Sequence, residues 1–224
     1  MIDKVLTSNA KKLYCGALYD ALRFDLNLKR PFVLSRHIKP CGSFKDVLFG
    51  PAFTCHSEPV LDRQHIDDSI RIKMFQAFYK GCVQVISSGG YREVAQFGDI
   101  SARIAKKLGA AGAVIDAPTR DLRIIRECEF PLFCSGVQPI DAYERWQITK
   151  YEVPIVMTGI EGDVWIRPGD FIWGDEDGVL VVPSDLISDA IACALERVNR
   201  ENIIREEISN YDDIQKMYDE LGRW

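Results

Sequence analysis

One stretch of the sequence constrains the fold more than any other. The apolar run Val83–Ser87 is followed by a loop, a helical pattern from Asp99 and a second apolar run that ends before Pro118. A strand, a helix and a strand of this length form a βαβ unit, whose right-handed crossover makes the two strands parallel. Parallel strands end at the same edge of a sheet, so we expect Asp99 and the pair Arg120-Asp121 to share one rim. The stretch therefore predicts an α/β fold with a ligand site at that rim.

The rim offers the groups that a 2-oxo acid requires. A helix that begins near Gly98 leaves the backbone N–H groups of its first turn free, and these groups favour an anion such as a carboxylate. Arg120 adds a fixed positive charge. The predicted substrate-binding residues are Gly98, Asp99, Ile100, Ser101 and Arg120.

Two aspartates at the rim provide oxygen ligands for a hard cation such as Mg²⁺ or Mn²⁺. Asp121 and Asp99 are the predicted metal ligands, and Asp99 and Arg120 are the predicted catalytic residues. A metal and Arg120 together could stabilise the enolate that forms when a carbon–carbon bond next to pyruvate breaks. A plain structural interpretation stays open, because an aspartate followed twenty residues later by Arg-Asp also occurs by chance. Arg120-Asp121 could equally be a solvated helix start.

Several segments together resemble the RraA-like family. They are FGPAFTC, GGYREVAQFGDISARIAKKLGAAGAVIDAPTRD, FPLFCSGVQP and VPIVMTGIEGDVWIRPGDFIWGDEDGVLVVP. That family contains the class II 4-hydroxy-4-methyl-2-oxoglutarate / 4-carboxy-4-hydroxy-2-oxoadipate aldolases and the regulator of ribonuclease activity A. Its aldolase signature is an aspartate, twenty residues and then Arg-Asp, and Asp99, Arg120 and Asp121 match it. Members commonly carry Asp-Gly before the Arg-Asp loop, whereas this chain has Asp-Ala-Pro-Thr at 116–119.

The resemblance implies an activity and a cofactor. The expected protein is a lyase that depends on Mg²⁺ or Mn²⁺ and cleaves a 4-hydroxy-2-oxo acid by a retro-aldol reaction. Its products would be pyruvate and a second carbonyl compound. Oxaloacetate decarboxylation is expected as a side activity, because both reactions pass through the enolate of pyruvate.

The remaining segments predict a mixed sheet or barrel with flanking helices, similar to the swivelling β/β/α domain of the RraA-like family. Residues 1–183 would form this α/β catalytic domain, and residues 184–224 a C-terminal helical extension. Gly50-Pro51 interrupts the apolar run 48–55, which indicates an edge or bulged strand. Four short strands are predicted between residues 153 and 183, with a hairpin at Asp177-Gly178.

Helical periodicity predicts which helix faces are buried. The predicted stripe of the central helix is Ile100, Ile104 and Leu108, opposite Arg103, Lys106 and Lys107. An earlier helix would begin at Asp67 or Asp68 and end with Gly81 as its C-cap, and its apolar side chains are Ile70, Met74, Phe75 and Phe78.

The long C-terminal helix is predicted to run from a Ser184 cap to about Ser209, with Ile187, Ile191, Leu195 and Val198 along one face. This helix exceeds what the domain needs, so we expect it to pack on a neighbouring subunit in a homotrimer or hexamer. The resemblance implies that a glutamate from an adjacent subunit's C-terminal helix completes the metal site. Glu196 and Glu201 are the two candidates, and a solvated helix face is the alternative for each.

Composition excludes several classes of function. The net charge of −5 and the lack of a long basic run argue against nucleic acid as a partner. Seven scattered cysteines without a C-x-x-C pair indicate free thiols in a reducing compartment. No apolar run approaches the length that spans a bilayer, so we predict a cytoplasmic protein that does not bind membranes.

Two rival functions fit the same residues. The first is a non-catalytic regulator, as in the ribonuclease-binding branch of the RraA-like family. The second is a sugar-acid dehydratase, which could use the same metal and Arg120 to stabilise a similar anion. A methyltransferase is discounted because no glycine-rich cofactor loop follows the first strand.

Overall fold

A curled mixed sheet forms the centre of the structure. The structure is a computed structural model that describes residues 4–42, 47–61 and 68–222. In spatial order its strands are β1 (Lys39–Pro40), β6 (Leu132–Cys134), β4 (Gly112–Ile115), β3 (Val83–Ser87), β2 (Leu48–Pro59), β11 (Phe171–Gly174) and β12 (Val179–Val182), and β8 (Trp146–Tyr151) pairs with β2. The four strands β2, β3, β4 and β6 are parallel to one another. β1, β8 and β11 pair antiparallel with members of this group, and β12 pairs antiparallel with β11, which confirms the predicted mixed sheet.

The predicted βαβ unit is confirmed. The helix α4 (Asp99–Lys107) connects β3 to β4, and the two strands pair in parallel with Val85 opposite Val114. Every residue of β3 and β4 is buried, as expected for strands covered on both faces. The carboxyl ends of both strands therefore lead towards the same edge of the sheet.

Residues 48–55 were predicted to form an edge or a bulged strand, and the edge strand is wrong, because β2 lies inside the sheet. The ladder between β2 and β8 does have a bulge-like register shift, but it lies between His56 and Ser57, beyond the predicted run. Along its twelve residues it pairs first with β11, then with β3 and finally with β8. The parallel ladder to β3 begins only at Ala52, so the N–H group that Pro51 lacks is not needed there. Gly50 is required for close approach, since a Cβ atom at this position would lie 2.2 Å from the Gly81 carbonyl oxygen.

The four short strands predicted near the C-terminus are present. They are β9 (Ile155–Thr158), β10 (Asp163–Ile166), β11 and β12. The β9–β10 pair forms a separate antiparallel ribbon, and β11 turns into β12 at the predicted hairpin. There the backbone N–H of Asp175 donates to the Gly178 carbonyl, and the Asp175 carboxylate accepts from the Asp177 N–H. A two-stranded parallel pair, β5 (Pro118–Thr119) with β7 (Gly136–Val137), was not predicted, nor was β8.

The remaining helices cover the sheet and its ends. They are α1 (Lys4–Ala10), α2 (Cys15–Asp20), a π-helical turn (Ala21–Asp25), α3 (Ser69–Gln76), α5 (Leu122–Glu127), α6 (Ile187–Glu207), a 3₁₀ turn (Ile208–Asn210) and α7 (Ile214–Leu221). Within the described residues, no helix combines the length and the apolarity that crossing a bilayer requires.

The long helix α6 begins later than predicted. Its N-cap is Leu186, which makes no side-chain cap hydrogen bond, so the predicted Ser184 cap is wrong. The Ser184 backbone N–H donates to Asp170 Oδ1 at 3.3 Å. The predicted apolar face is confirmed for Ile187, Ile191 and Val198, which are buried in a cluster with α1 and α2 of the same chain. Contact between α6 and a second subunit stays a prediction.

The apolar face predicted for α4 is wrong. Ile100 is 65% exposed and Leu108 39% exposed, whereas Ala102 and Ala105 are fully buried. The two alanines belong to a core cluster with residues of β3 and β4, and their small side chains let the helix approach the sheet closely. In α3, Met74 is buried as predicted, although the helix ends at Gln76 and Gly81 does not cap it.

The predicted start of α3 has a mixed outcome. Asp67 lies outside the described residues, and Asp68 occupies the N-cap position without a hydrogen bond from its side chain to the helix. Its carboxylate instead lies 3.7 Å from the Arg71 guanidinium.

Candidate active site

A cavity of about 510 Å³ lies beside the first turn of α4. Its walls come from α3, β3, the loop before α4, the start of α5 and the segment 141–148. The charged residues among its lining are Asp68, Asp99, Asp121, Asp141, Glu144, Arg71 and Arg120. All the substrate-binding and catalytic residues predicted from the sequence line this one cavity, as does the predicted metal ligand Asp121.

Backbone hydrogen bonds hold the two functional loops side by side. Phe97 and Thr119 form an isolated parallel bridge just before Asp99 and Arg120. The Arg120 N–H donates to the Phe97 carbonyl oxygen at 3.0 Å, and Thr119 Oγ1 donates to the same oxygen at 2.9 Å. Thr119 is fully buried, so water does not compete for these bonds. The expected meeting of the two loops therefore has a defined structural cause.

Asp121 has an unusual backbone conformation at the start of α5. Its φ of 60° and ψ of 28° lie in the left-handed region, which aspartate tolerates better than most residues. Its carbonyl oxygen accepts hydrogen bonds from Ile124 and Ile125, while its side chain does not cap the helix. The carboxylate is therefore released towards the neighbouring loop.

The Asp121 carboxylate lies against Gly98. A Cβ atom at Gly98 would be 2.8 Å from Asp121 Oδ2, which is closer than real Cβ contacts. The φ of −144° at Gly98 is open to any residue, so a Cβ atom here would conflict only with the flexible end of the Asp121 side chain, which would have to shift. The sequence predicted Gly98 as a substrate-binding residue before α4 and did not predict the close approach of the Asp121 carboxylate.

Arg120 lies between two carboxylates. Its Nε atom is 3.4 Å from Asp121 Oδ2, and its Nη1 atom is 3.6 Å from Asp141 Oδ2. A guanidinium carries five N–H donors in a planar fork, so two such neighbours orient it and leave donors for an anion. Sequence reasoning missed Asp141, because nothing in the pattern around it separates it from an ordinary loop carboxylate.

Asp99 opens α4 and is the more enclosed of the two aspartates. Its side chain is 19% exposed, against 34% for Asp121, and its Oδ2 atom lies 3.6 Å from Arg103 Nε. Among the described residues no side chain caps the first turn of α4, in which the Ala102 N–H donates to the Gly98 carbonyl oxygen. The N–H groups of this turn thus form an electropositive end next to Asp99.

The carboxylates suit a cation that keeps much of its water shell. Residues 4–42, 47–61 and 68–222 contain no group of three His, Cys, Asp or Glu side chains placed to enclose a metal ion. Such a site does not fit Zn²⁺, which takes three or four protein ligands. Mg²⁺ commonly binds through one or two carboxylates, waters and substrate oxygens, and Asp99 and Asp121 supply two carboxylates to the lining of this cavity. A metal ion held by them stays a prediction.

The two C-terminal glutamates lie away from the cavity of their own chain. Glu201 accepts hydrogen bonds from the Tyr14 hydroxyl and from Arg205, and Glu196 is exposed on α6. Neither residue lines the cavity. A role for Glu196 or Glu201 in a neighbouring subunit's site stays a prediction.

Three comparisons with known proteins find relatives of this chain in sequence and in fold. A protein from Halalkalibacterium halodurans provisionally named 4-hydroxy-4-methyl-2-oxoglutarate aldolase is 36% identical over 153 residues, which are 67% of this chain and 66% of that protein. The match thus spans slightly less than two thirds of that relative's length.

Solved structures resemble the whole fold. An uncharacterized protein from Pseudomonas syringae pv. tomato is 28% identical with a TM-score of 0.80, over 96% of this chain and 98% of that one. Streptomyces coelicolor RraAS2, described as an unusual member of the RNase ES inhibitor RraA protein family, is 25% identical with a TM-score of 0.75, over 91% and 96% of the two chains. The family model described as Aldolase/RraA matches residues 16–181, and the chain therefore belongs to the RraA-like family.

Proposed function

We propose that the protein is a divalent-metal-dependent lyase that cleaves a 4-hydroxy-2-oxo acid into pyruvate and a second carbonyl compound. The observation that carries the proposal is that Asp99, Arg120 and Asp121 line one cavity at the first turn of α4. The aldolase name of the Halalkalibacterium halodurans relative supports the same reaction class. Oxaloacetate decarboxylation belongs to the proposal as a side activity, because it forms the same enolate.

Substrate binding would use the positive groups at the rim of the cavity. The free N–H groups at the start of α4 would bind the substrate's C1 carboxylate. The guanidinium of Arg120, oriented by Asp121 and Asp141, would donate to the oxygen on C2. This geometry holds the C3–C4 bond next to a carbonyl group whose developing negative charge can be stabilised.

Bond cleavage requires that one proton leave the substrate. Asp99 would accept the proton of the C4 hydroxyl, directly or through a water molecule, while the C3–C4 electron pair moves towards C2 and the second carbonyl compound forms. A proton returned to C3 then gives pyruvate. Mg²⁺ or Mn²⁺, held by Asp121 and Asp99, would act as a Lewis acid that polarises the 2-oxo group.

The decisive experiment follows pyruvate release from 4-hydroxy-2-oxo acids in the presence of Mg²⁺ or Mn²⁺. EDTA should abolish the activity of the wild type, and so should Arg120→Ala or Asp121→Ala. Arg123→Ala is the matched control, because Arg123 is exposed on α5 and does not line the cavity. Near-full activity in the Arg120 or Asp121 variant would refute the proposal, and a single product lighter by one water would indicate a dehydratase.

The proposal includes a homotrimer or hexamer in which α6 of one subunit approaches its neighbour's cavity. Glu196→Gln and Glu201→Gln would distinguish the two glutamates, since the one that reaches the metal should raise the metal concentration needed for half-maximal activity. Light scattering should report a trimer or hexamer for both variants. A monomer in solution, or unchanged metal dependence in both variants, would remove this part of the proposal.

A ribonuclease-binding role is the second candidate, and the similarity to RraAS2 over 91% of the chain favours it. This candidate predicts that the protein forms a complex with a ribonuclease and releases no pyruvate with either metal. Size-exclusion chromatography with purified ribonuclease and the lyase assay together separate the two candidates.

A further inference from the structure

Two cysteine side chains meet between strand β1 and its neighbour β6. Lys39 of β1 is paired with Cys134 of β6, and the pairing continues past the end of β1, since the Cys41 N–H donates to the Leu132 carbonyl oxygen at 2.8 Å. Side chains alternate between the two faces of a strand, so Cys41 and Cys134 lie on the same face. Their thiols are joined by a hydrogen bond, the only one between two cysteines in the described part of the chain. The two sulfur atoms therefore point towards each other, as a disulfide requires.

The two thiols differ in their access to solvent. Cys134 is fully buried, whereas Cys41 is half-buried. The hydrogen bond from Cys134 and the nearby guanidinium of Arg126 both lower the pKa of Cys41, and the same hydrogen bond raises the pKa of Cys134. An accessible thiol with thiolate character beside a sheltered second thiol is typical of pairs that respond to oxidants. Cys41 is thus placed to react with an oxidant, and Cys134 is placed to react with the product.

Cys134 also contacts the segment that positions Arg120. Its thiol lies within hydrogen-bonding reach of the Gly136 carbonyl oxygen, at 3.3 Å, and the Thr119 backbone makes a hydrogen bond to its sulfur. Gly136 begins β7, which pairs in parallel with β5, and Thr119 ends β5 directly before Arg120. The sulfur of Cys134 therefore lies at the base of the β5–β7 pair.

A disulfide would change these contacts. Its sulfur atoms carry no proton, so Cys134 could no longer donate to the Gly136 carbonyl oxygen, and its sulfur would be drawn towards Cys41. We propose that Cys41 and Cys134 close to a disulfide when a peroxide oxidises Cys41, and that closure loosens β5 and the backbone attachment of Arg120. This inference concerns regulation of the cavity by oxidation and goes beyond the proposed function.

The reaction is balanced in two steps with hydrogen peroxide as the oxidant. The Cys41 thiolate attacks one peroxide oxygen, the O–O bond breaks, and Cys41 becomes a sulfenic acid while the departing hydroxide takes up the proton that the thiol released. The Cys134 sulfur then attacks the Cys41 sulfur, the S–O bond breaks, and the hydroxyl leaves with the Cys134 proton as water. Two thiols and one hydrogen peroxide thus give one disulfide and two water molecules.

Peptide mass spectrometry after peroxide treatment tests the pairing. The fully reduced protein is exposed to hydrogen peroxide, and the remaining thiols are blocked with iodoacetamide under denaturing conditions before digestion. The cross-linked peptides that contain Cys41 and Cys134 should be the main oxidation product and should disappear with dithiothreitol. Equal oxidation of all seven cysteines, or a different pairing, would overturn the inference.

Two serine variants separate the roles of the thiols. Cys134→Ser should accumulate the sulfenic acid of Cys41, which dimedone traps, whereas Cys41→Ser should give neither a dimedone adduct nor a disulfide at Cys134. Cys128→Ser is the matched control and should form the disulfide as the wild type does, because Cys128 is also half-buried and donates to the Ile125 carbonyl oxygen. Absence of the adduct in Cys134→Ser would contradict the role assigned to Cys41.

Hydrogen–deuterium exchange measures the effect on β5 in the wild-type protein and does not require lyase activity. A peptide covering residues 116–121 should exchange at least about threefold faster in the oxidised than in the reduced protein, while a peptide from α6 should not change. Cys41→Ser treated with the same peroxide corrects for oxidation of methionine. Equal exchange in both states would overturn the loosening of β5.

The effect on activity is a separate measurement. Pyruvate release should fall when the disulfide forms and return with dithiothreitol, and unchanged release from fully oxidised protein would contradict regulation of the cavity. If the reduced protein releases no pyruvate, the lyase proposal fails, and the exchange experiment still decides whether the disulfide loosens the Arg120 segment.

Discussion

The carbonyl oxygen of Phe97 accepts a 3.0 Å hydrogen bond from the backbone N–H of Arg120. This bond joins the loop after β3 to the loop after β4, and Thr119 Oγ1 reinforces it at the same oxygen. The alignment of the Arg120 guanidinium with the first turn of α4 therefore depends on a backbone contact between two loops that both contribute to the cavity wall.

Thr119→Val tests that dependence, because it replaces the buried hydroxyl by a methyl group of similar size. We expect a loss of about 1 kcal/mol in the free energy of unfolding. We also expect a fall in kcat of about tenfold, because small displacements of a positioning loop are costly for catalysis. Thr149→Val is the control, since its hydroxyl makes only a 3.5 Å contact to the His56 carbonyl oxygen. Unchanged kcat in Thr119→Val would show that the backbone bond alone aligns the loops.

Gly98→Ala should displace the Asp121 carboxylate. The added Cβ atom would lie 2.8 Å from Oδ2, and the carboxylate would have to move away from the cavity rim. We expect Mg²⁺ binding at least about tenfold weaker by isothermal titration calorimetry, since loss of one of two carboxylate ligands removes much of the affinity.

Gly178→Ala is the control for this substitution, because no heavy atom lies within 4 Å of an added Cβ there and its φ is not positive. Mg²⁺ affinity that is equal in the wild type and in both variants would contradict the role assigned to the Gly98–Asp121 contact.

Arg197 connects the long helix to the N-terminal region. Its Nε and Nη2 atoms lie 2.6 and 2.7 Å from the two carboxylate oxygens of Asp25. This bidentate hydrogen bond lowers the pKa of Asp25. Arg197→Ala should reduce the free energy of unfolding by about 1 kcal/mol at pH 7, a modest figure because both side chains are about one-third exposed.

The lowered pKa of Asp25 determines how the stabilisation by the Asp25–Arg197 pair depends on pH. A carboxyl group whose pKa is depressed by folding contributes stability above its unfolded pKa of about 3.9, and the contribution is lost as pH falls through the folded value. The free energy of unfolding, measured with urea, should therefore differ less between wild type and Arg197→Ala below about pH 4 than at pH 7. Arg200→Ala, which removes an exposed arginine of the same helix, should change the stability little at either pH.

Cys41 and Cys134 form a thiol pair between β1 and β6. The Cys134 thiol donates a hydrogen bond to the Cys41 sulfur, which lowers the pKa of Cys41 below that of an ordinary thiol. Alkylation of Cys41 by iodoacetamide should therefore begin at a lower pH than alkylation of an ordinary thiol.

Cys134→Ala should move this alkylation profile to higher pH, and Cys134→Ser, which keeps a donor, should restore part of the shift. Peptide mass spectrometry with Cys128 as the internal reference measures both effects. A profile that is unaffected by Cys134→Ala would show that another group sets the reactivity of Cys41.

Local sequence patterns predicted the βαβ unit, the C-terminal hairpin and the placement of Asp99 beside Arg120. These features depend on periodicity and turn chemistry within a few tens of residues. The central position of β2 was not predicted. Pro51 is compatible with a central strand only because the hydrogen-bonded ladder with β3 begins after it, at Ala52, and the sequence does not show where that ladder begins. The buried face of α4 was assigned wrongly because close packing favoured Ala102 and Ala105 over larger side chains.

Several contacts in the site could not be predicted because they join segments that are distant in the sequence. Asp141 approaches Arg120 from a segment that has no recognisable motif. The left-handed conformation of Asp121 is set by the meeting of two loops, and aspartate alone does not signal it. Gln84 and Trp146 are far apart in the sequence and face one cavity only after the sheet has formed.

The cluster that α6 forms with α1 and α2 has a consequence for biosynthesis. Leu18 and Leu22 are synthesised early, yet Ile187 and Ile191, which cover them, leave the ribosome more than 160 residues later. Until then the nascent chain presents an uncovered apolar helical face, the kind of surface that chaperones bind. The contact of α6 with α1 and α2 joins residues that are far apart in the sequence, and such contacts are typical of slow folding. The rate of folding of the nascent protein should therefore be limited by the synthesis and docking of α6.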